Sequence, residues 1–302
     1  MGKIAFVYAG QGDQYPGMGQ ELTQQYPCAA EVFARCDAIR PNTSRQCFSA
    51  DEEELKQTVN TQPCMFAFEL AATAVLRQAG IRPAAVAGFS LGEVAAATAA
   101  GLFDLETGFR AVCLRGQLMQ EASEQVDAAM AAVVKLTPET VCRLCGEFDA
   151  VYPVNFNCPG QITVSGLAGQ MQEFAQRVRA AGGRAIPLKV RGAFHSPFMA
   201  DAAQAFGQAL EEIPVSPNTI PLYSNVTGQP YDAEARHLLS RQICSPVQWE
   251  STICHMIASG IDTFIEIGPG MTLTNMTKKI NSSVKTYCVK ELTAILQEVC
   301  PC

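Results

Sequence analysis

The chain has 302 residues, 48% apolar and 17% charged, which excludes a disordered polypeptide and leaves room for one large core, with or without a smaller one attached. Its 22 Lys and Arg against 29 Asp and Glu give a formal charge of -7, without the basic excess of a non-specific nucleic-acid binder. No run of 18 apolar residues occurs and the opening Met1-Gly2-Lys3-Ile4 leads into too short an apolar stretch for a signal peptide, so neither a membrane span nor secretion is expected.

Residues 4–9 are a continuous apolar run ending at Gly10, the pattern of a fully buried strand, and the Gly10-Gln11-Gly12 loop leads towards a helix near Glu21. Residues 51–54, Asp-Glu-Glu-Glu, read as a solvated helix start. Pro63 is expected to open a long helix, apolar on most faces, that ends near Gly80. Residues 84–89 form the next buried strand. Ser90 follows it directly, and an alanine-rich helix then runs to Gly101. Asp104 caps a further helix reaching about Ala122.

Residues 129–191 read as an inserted unit. Strands are expected at 129–136, 151–157, 161–165 and 184–190, with helices at about 138–146 and 169–181. That β-α-β-β-α-β order is ferredoxin-like. Beyond it, helices at 199–212, 236–243 and 247–259 alternate with strands at 220–225 and 263–267, and the last strand meets Gly268-Pro269-Gly270 before a helix near Leu273. The fold class is therefore α/β, a parallel sheet covered on both faces, built from 1–128 and 192–302, with 129–191 as the α+β insert. Ligands gather at the carboxyl ends of such strands, where Ser90 and the loops at 10–12 and 268–270 all lie.

Gly88-Phe89-Ser90-Leu91-Gly92 is a GxSxG pattern between a buried strand and a helix. A sharp turn there pushes the Ser90 hydroxyl into open space and points helix N–H groups at whatever bonds to it, with the Leu91 N–H as the natural first oxyanion donor. Losing one such donor typically costs about 3 kcal/mol. A serine needs a base, and three histidines are available. His237 and His255 fall in mid-helix patterns and read as surface or packing residues. His195, in Arg191-Gly192-Ala193-Phe194-His195-Ser196-Pro197, follows a strand and is the expected base. Asp201 and Glu266 are positional options for a third member, with no strong signal for either. The thirteen cysteines, an odd number in a long chain, read as small buried hydrophobes in a reducing, cytoplasmic setting. Cys142 and Cys145 form a lone CxxC, read as packing rather than metal or redox chemistry, and Cys300 and Cys302 form a terminal pair with no assigned purpose.

These residues resemble the malonyl-CoA:acyl carrier protein transacylases of the fatty-acid and polyketide acyltransferase family, over essentially the whole chain. The resemblance is carried in order by Gly10-Gln11-Gly12, Thr61-Gln62-Pro63, residues 88–93, Arg115-Gly116 with Met119, Ala193-Phe194-His195-Ser196, Ser224-Asn225-Val226-Thr227-Gly228, Pro246-Val247-Gln248-Trp249 and residues 266–270. It implies an α/β-hydrolase-like domain with a ferredoxin-like insert. It also implies Ser90 as nucleophile, His195 as base, and the backbone N–H groups of Gln11 and Leu91 as the oxyanion hole. Arg115 would pair with the malonyl carboxylate, and the backbone carbonyl of Gln242 would orient the histidine, replacing a third carboxylate. Phe89 and Phe194 would line the acyl pocket. One departure stands out: Phe89 occupies a position where the family usually has histidine, which bears on acyl choice and not on the base.

Arg115 flanks the stripe Phe109, Val112, Gly116 and Met119, where an arginine either reaches water or serves a site. Guanidinium offers a two-pronged donor to a carboxylate, which favours the second option. The expected partners are malonyl-CoA and holo acyl carrier protein, with coenzyme A thioester as substrate, no resident cofactor, no metal and a monomeric chain. Lys189, Arg191, Lys278 and Lys279 are positional candidates for a carrier-protein patch. A carrier-protein hydrolase of the same fold and a non-catalytic carrier-binding partner are the rival readings.

Overall fold

The computed structural model describes residues 2–231 and 234–299. Two sheets organise it. The larger has five parallel strands, β1 (Lys3–Tyr8), β2 (Ala85–Gly88), β7 (Leu222–Tyr223), β8 (Ile261–Ile267) and β9 (Lys285–Cys288), in the order β7-β2-β1-β8-β9. β1 and β2 are buried almost throughout, which is why they read as continuous apolar runs. The smaller sheet has four antiparallel strands, β3 (Ala128–Val134), β4 (Val151–Cys158), β5 (Gln161–Leu167) and β6 (Arg184–Arg191), in the order β4-β5-β3-β6. With the helices Pro138–Cys145 and Ala168–Ala180 between its strands, this is the ferredoxin-like arrangement.

The lobes are stitched at β4: Phe156 N–H donates to Val247 O at 2.9 Å, and Val247 N–H to Val154 O at 2.9 Å. The next residue, Gln248, donates its N–H to Asn225 O at 2.8 Å. The small sheet is thereby held against the carboxyl ends of the parallel strands.

The structure departs from the sequence reading at several elements. The helix expected to open at Pro63 is Thr58–Gln78, with Pro63 inside it. The turn before the proline is held by other bonds. Thr58 N–H reaches Gln120 Oε1 at 3.0 Å, and Thr61 Oγ1 donates to Leu55 O at 2.6 Å. Two helices, Pro27–Ile39 and Thr43–Ser49, have no counterpart in the sequence reading, and a third, Glu52–Lys56, follows the acidic start. The last begins as expected, with Asp51 accepting the Glu54 N–H at 2.8 Å. Strand β9 and the helix Leu292–Glu298 were also not anticipated, since their short, mixed sequences carry no clear period.

Among the described residues no helix is long and apolar enough to cross a membrane. Eleven cysteines are free thiols, Cys142 and Cys145 included, while Cys300 and Cys302 lie outside the described residues.

Candidate active site

β2 ends at Gly88 and the helix Gly92–Ala99 starts four residues later, so the chain reverses over Phe89, Ser90 and Leu91. The two glycines make this possible. A Cβ on Gly88 would lie 2.0 Å from the Gly92 carbonyl carbon, and one on Gly92 would lie 2.4 Å from Tyr8 O. Ser90 itself takes a positive φ of 54°, a costly conformation for a side-chain-bearing residue and the mark of a nucleophile elbow. Asn225 clamps the turn: its Nδ2 donates to Gly88 O at 2.6 Å and its Oδ1 accepts the Ser90 N–H at 2.8 Å.

His195 Nε2 lies 2.7 Å from Ser90 Oγ, and His195 Nδ1 lies 2.9 Å from the Gln242 carbonyl oxygen. That oxygen can only accept, so Nδ1 carries the hydrogen and the Nε2 lone pair faces the serine. His195 is also at a positive φ, 61°, with its N–H held by Ile243 O at 3.1 Å. Burial pushes the imidazole down to about 4, and the Arg115 cation adds to the shift. It is therefore neutral at physiological pH and can take a proton.

Arg115 is 1% exposed. It does not reach out to water, because its long side chain turns inward under Ser90. Nη1 donates to Gln62 Oε1 at 2.7 Å, and Nη2 donates to Gln242 Oε1 at 2.7 Å and to Ser90 Oγ at 3.3 Å. Its side-chain partners are neutral oxygens, and among the described residues it forms no ion pair. Burial lowers its pKa to about 10, with Glu93 pulling the other way. The result is a cation in the floor of the site that, among the described residues, touches no carboxylate directly.

Glu93 and Gln242 complete the floor. Gln242 Nε2 donates to Glu93 Oε2 at 2.8 Å and to Ser90 O at 2.6 Å. Glu93 Oε1 accepts from Tyr231 O–H at 2.5 Å and from Asn225 N–H at 3.2 Å. Burial raises the Glu93 carboxyl to about 7 against the pull of Tyr231, Gln242, Asn225 and Arg115. The sequence reading passed over Glu93 and Asn225 as actors. The signal for Glu93 is a charged residue in otherwise apolar, glycine-rich sequence, and that for Asn225 is its place in the Ser224–Gly228 motif.

Above this floor is a cleft of about 290 Å³ between the lobes. Gln11, Phe89, Ser90, Leu91, Phe194 and His195 line it from the large domain, and Met130, Asn155, Asn157 and Val190 from the small sheet. Phe89 packs edge-on to Trp249, with ring centroids 5.5 Å apart. The Ser90 N–H is committed to Asn225, whereas among the described residues the N–H groups of Gln11 and Leu91 show no hydrogen-bond partner.

The other sequence candidates fall elsewhere. Asp201 is exposed on the helix Ala200–Glu211. Glu266 is buried, but its carboxylate accepts the Leu273 and Thr274 N–H groups at 3.0 and 2.7 Å, holding the helix Thr272–Ile280. His237 faces Glu234 at 3.5 Å, and His255 donates from Nδ1 to Gly228 O at 2.8 Å and accepts from Gln229 Nε2 on its Nε2 at 2.9 Å. Lys278 and Lys279 are exposed, with Lys279 reaching Gln161 Oε1 at 3.4 Å, while the side chains of Lys189 and Arg191 lie outside the described set.

An acyl transferase domain family model matches residues 5–297. The chain is 37% identical over 299 residues to the malonyl CoA-acyl carrier protein transacylase of Bacillus subtilis, covering 96% of this chain and 94% of that one. It superimposes with a TM-score of 0.95 on the solved malonyl CoA-acyl carrier protein transacylase of Clostridium perfringens, at 35% identity, covering 98% of this chain and 97% of that one. A malonyl-transacylase solved in complex with its type II PKS acyl-carrier protein matches with a TM-score of 0.94 at 35% identity, covering 99% of both chains.

Proposed function

The chain belongs to the acyl transferase domain family, among the malonyl CoA-acyl carrier protein transacylases, and from that premise we propose that it moves a malonyl group from coenzyme A to the phosphopantetheine thiol of acyl carrier protein through an ester on Ser90. The observation that carries this reading is Arg115: a buried cation 3.3 Å from the Ser90 hydroxyl, held by amide oxygens rather than by a carboxylate. A substrate carboxylate would complete it. A neutral acyl group would leave the cation less well paired in a confined site.

His195 takes the hydroxyl proton on Nε2 as Ser90 Oγ attacks the thioester carbonyl. The Gln242 carbonyl holds Nδ1–H and steadies the imidazolium that forms. The backbone N–H groups of Gln11 and Leu91 receive the developing oxyanion, the second at the start of a helix whose dipole favours negative charge. The C–S bond breaks, His195 returns its proton to the leaving thiolate, and coenzyme A departs. The carrier's thiol then enters, His195 deprotonates it, and the steps reverse in a ping-pong cycle. The thioester is already activated, so these steps need no resident cofactor or metal. Phe89 and Phe194 bound the acyl pocket from the large domain. We place the reaction in the cytoplasm with the chain acting as a monomer, a setting suited to free cysteines.

Mass spectrometry after mixing with malonyl-CoA alone tests the reading. One malonyl group on Ser90, absent from Ser90→Ala, is expected. Absence of any adduct under rapid quenching overturns the covalent route. Release of free malonate without transfer to a pantetheine thiol would favour the hydrolase instead.

A further inference from the structure

Glu93 is fully buried and takes no part in the acyl-transfer steps. Every hydrogen-bond partner it has in the site can donate to it: Tyr231 O–H and Asn225 N–H on Oε1, and Gln242 Nε2–H on Oε2. An ionised carboxylate accepts and never donates. With the Ser90 carbonyl oxygen, which also accepts from Gln242 Nε2, at 2.6 Å, it fixes which end of the Gln242 amide faces this side. With Nε2 turned to Glu93, Oε1 is turned to Arg115, 2.7 Å from Nη2. The opposite rotamer would set an N–H₂ against a guanidinium N–H, donor against donor. The same Gln242 also supplies the carbonyl that holds His195.

We propose that Glu93 is a positioning residue for substrate selection: its carboxylate locks the Gln242 amide so that an acceptor meets Arg115, and this sets the guanidinium for the acyl carboxylate. The proposal rests on the malonyl reading above. It separates two contributions of Gln242. Its backbone carbonyl and its Nε2 bond to Ser90 O serve the Ser90–His195 pair and hence every acyl group, while its Oε1, turned by Glu93, serves Arg115 and hence chiefly acyl groups that carry a carboxylate.

The test compares wild type, Glu93→Gln and Glu93→Asp in single-turnover acylation of Ser90 at pH 8 by malonyl-CoA and by acetyl-CoA. Glu93→Gln keeps the shape but puts an N–H₂ among donors. Its half-saturation concentration for malonyl-CoA is expected to rise about 10- to 100-fold, the loss of a charge-assisted contact made in ground and transition states alike. Its acylation by acetyl-CoA should fall much less, so that the malonyl-to-acetyl ratio drops by about tenfold or more. Glu93→Asp keeps the charge one methylene short and should recover part of the malonyl preference. Equal losses for both acyl groups in folded Glu93→Gln, or an unchanged malonyl-to-acetyl ratio, overturn the proposal. If circular dichroism shows Glu93→Gln unfolded, Glu93→Asp carries the test, with a drop of at least about threefold in that ratio expected and no drop overturning it. Failure of the wild type to form malonyl-Ser90 would instead sink the reading beneath it.

Discussion

Ser90 and His195 meet at 2.7 Å, and both are held at a positive φ, 54° and 61°. Each such backbone costs on the order of 1–3 kcal/mol, so neither residue would rest there without support. The supports differ. Ser90 is pinned by the Asn225 amide and the glycines on either side, and His195 by the residues around Gln242.

Asn225→Ala removes the bridge between Gly88 O and the Ser90 N–H and leaves both groups unpaired in a buried turn. The expected loss of stability is about 2–5 kcal/mol, read as a shift in the urea midpoint. Malonylation of Ser90 should slow by about tenfold or more as the nucleophile loses its aim. An unchanged midpoint would show that the glycines alone hold the elbow.

Arg115→Ala should cut malonyl transfer by about 100-fold or more, while acetyl transfer falls much less or rises. The two rates, measured with the same carrier protein, separate recognition of the carboxylate from support of the Ser90 hydroxyl. Equal losses would remove Arg115 from substrate choice.

The imidazole of His195 is lowered to about 4 by burial first and by Arg115 second. A histidine lowered in the folded state stays neutral, and hence competent as a base, to lower pH than an ordinary one. Labelling of Ser90 by a fluorophosphonate, a neutral reagent that makes no use of a carboxylate contact, should therefore hold up as pH falls through 6.5 and fail only near pH 4. Arg115→Ala should move that limb upward, because one cause of the depression is gone. A wild-type limb centred at 6.5 would contradict the buried geometry.

Glu69 lies fully buried in the helix Thr58–Gln78, and neither carboxyl oxygen has a hydrogen-bond partner among the described residues. The Ala9 N–H beside it is committed to Ile267 O at 3.0 Å. Burial chiefly, with Glu266 and Asp13 adding repulsion, holds its pKa well above the ordinary 4.5. A carboxyl raised on folding contributes stability that is complete below its unfolded pKa and is lost as pH climbs towards the folded value. Glu69→Gln, a neutral isostere, should then melt at or above the wild-type temperature at pH 8, with the advantage shrinking towards pH 5. An advantage that grows on acidification would reverse the assignment.

Much of this arrangement was legible in one dimension. The buried strands β1 and β2 read directly as apolar runs, because strands covered on both faces tolerate little else. GxSxG between a strand and a helix marked Ser90, since Gly88 and Gly92 stand where no Cβ fits. His195 was singled out among three histidines by its loop position, and the order of elements from 129 to 191 matched the small antiparallel sheet. Helix starts were less secure: Pro63 looked like a first-turn residue, yet tertiary bonds to Gln120 and Leu55 carry the helix back to Thr58.

Sequence alone determined the turn that presents Ser90, because a strand-turn-helix with glycines at fixed places is a local constraint and leaves a local trace. Tertiary structure alone decided the charges around it. Whether Arg115 met water or Ser90, whether Glu93 stood idle or faced Gln242, and how closely the Gln242 carbonyl approached His195 Nδ1 all depended on residues up to 149 positions apart. Such contacts have no period and no spacing. They exist only once packing removes water and forces each buried polar atom to find a partner.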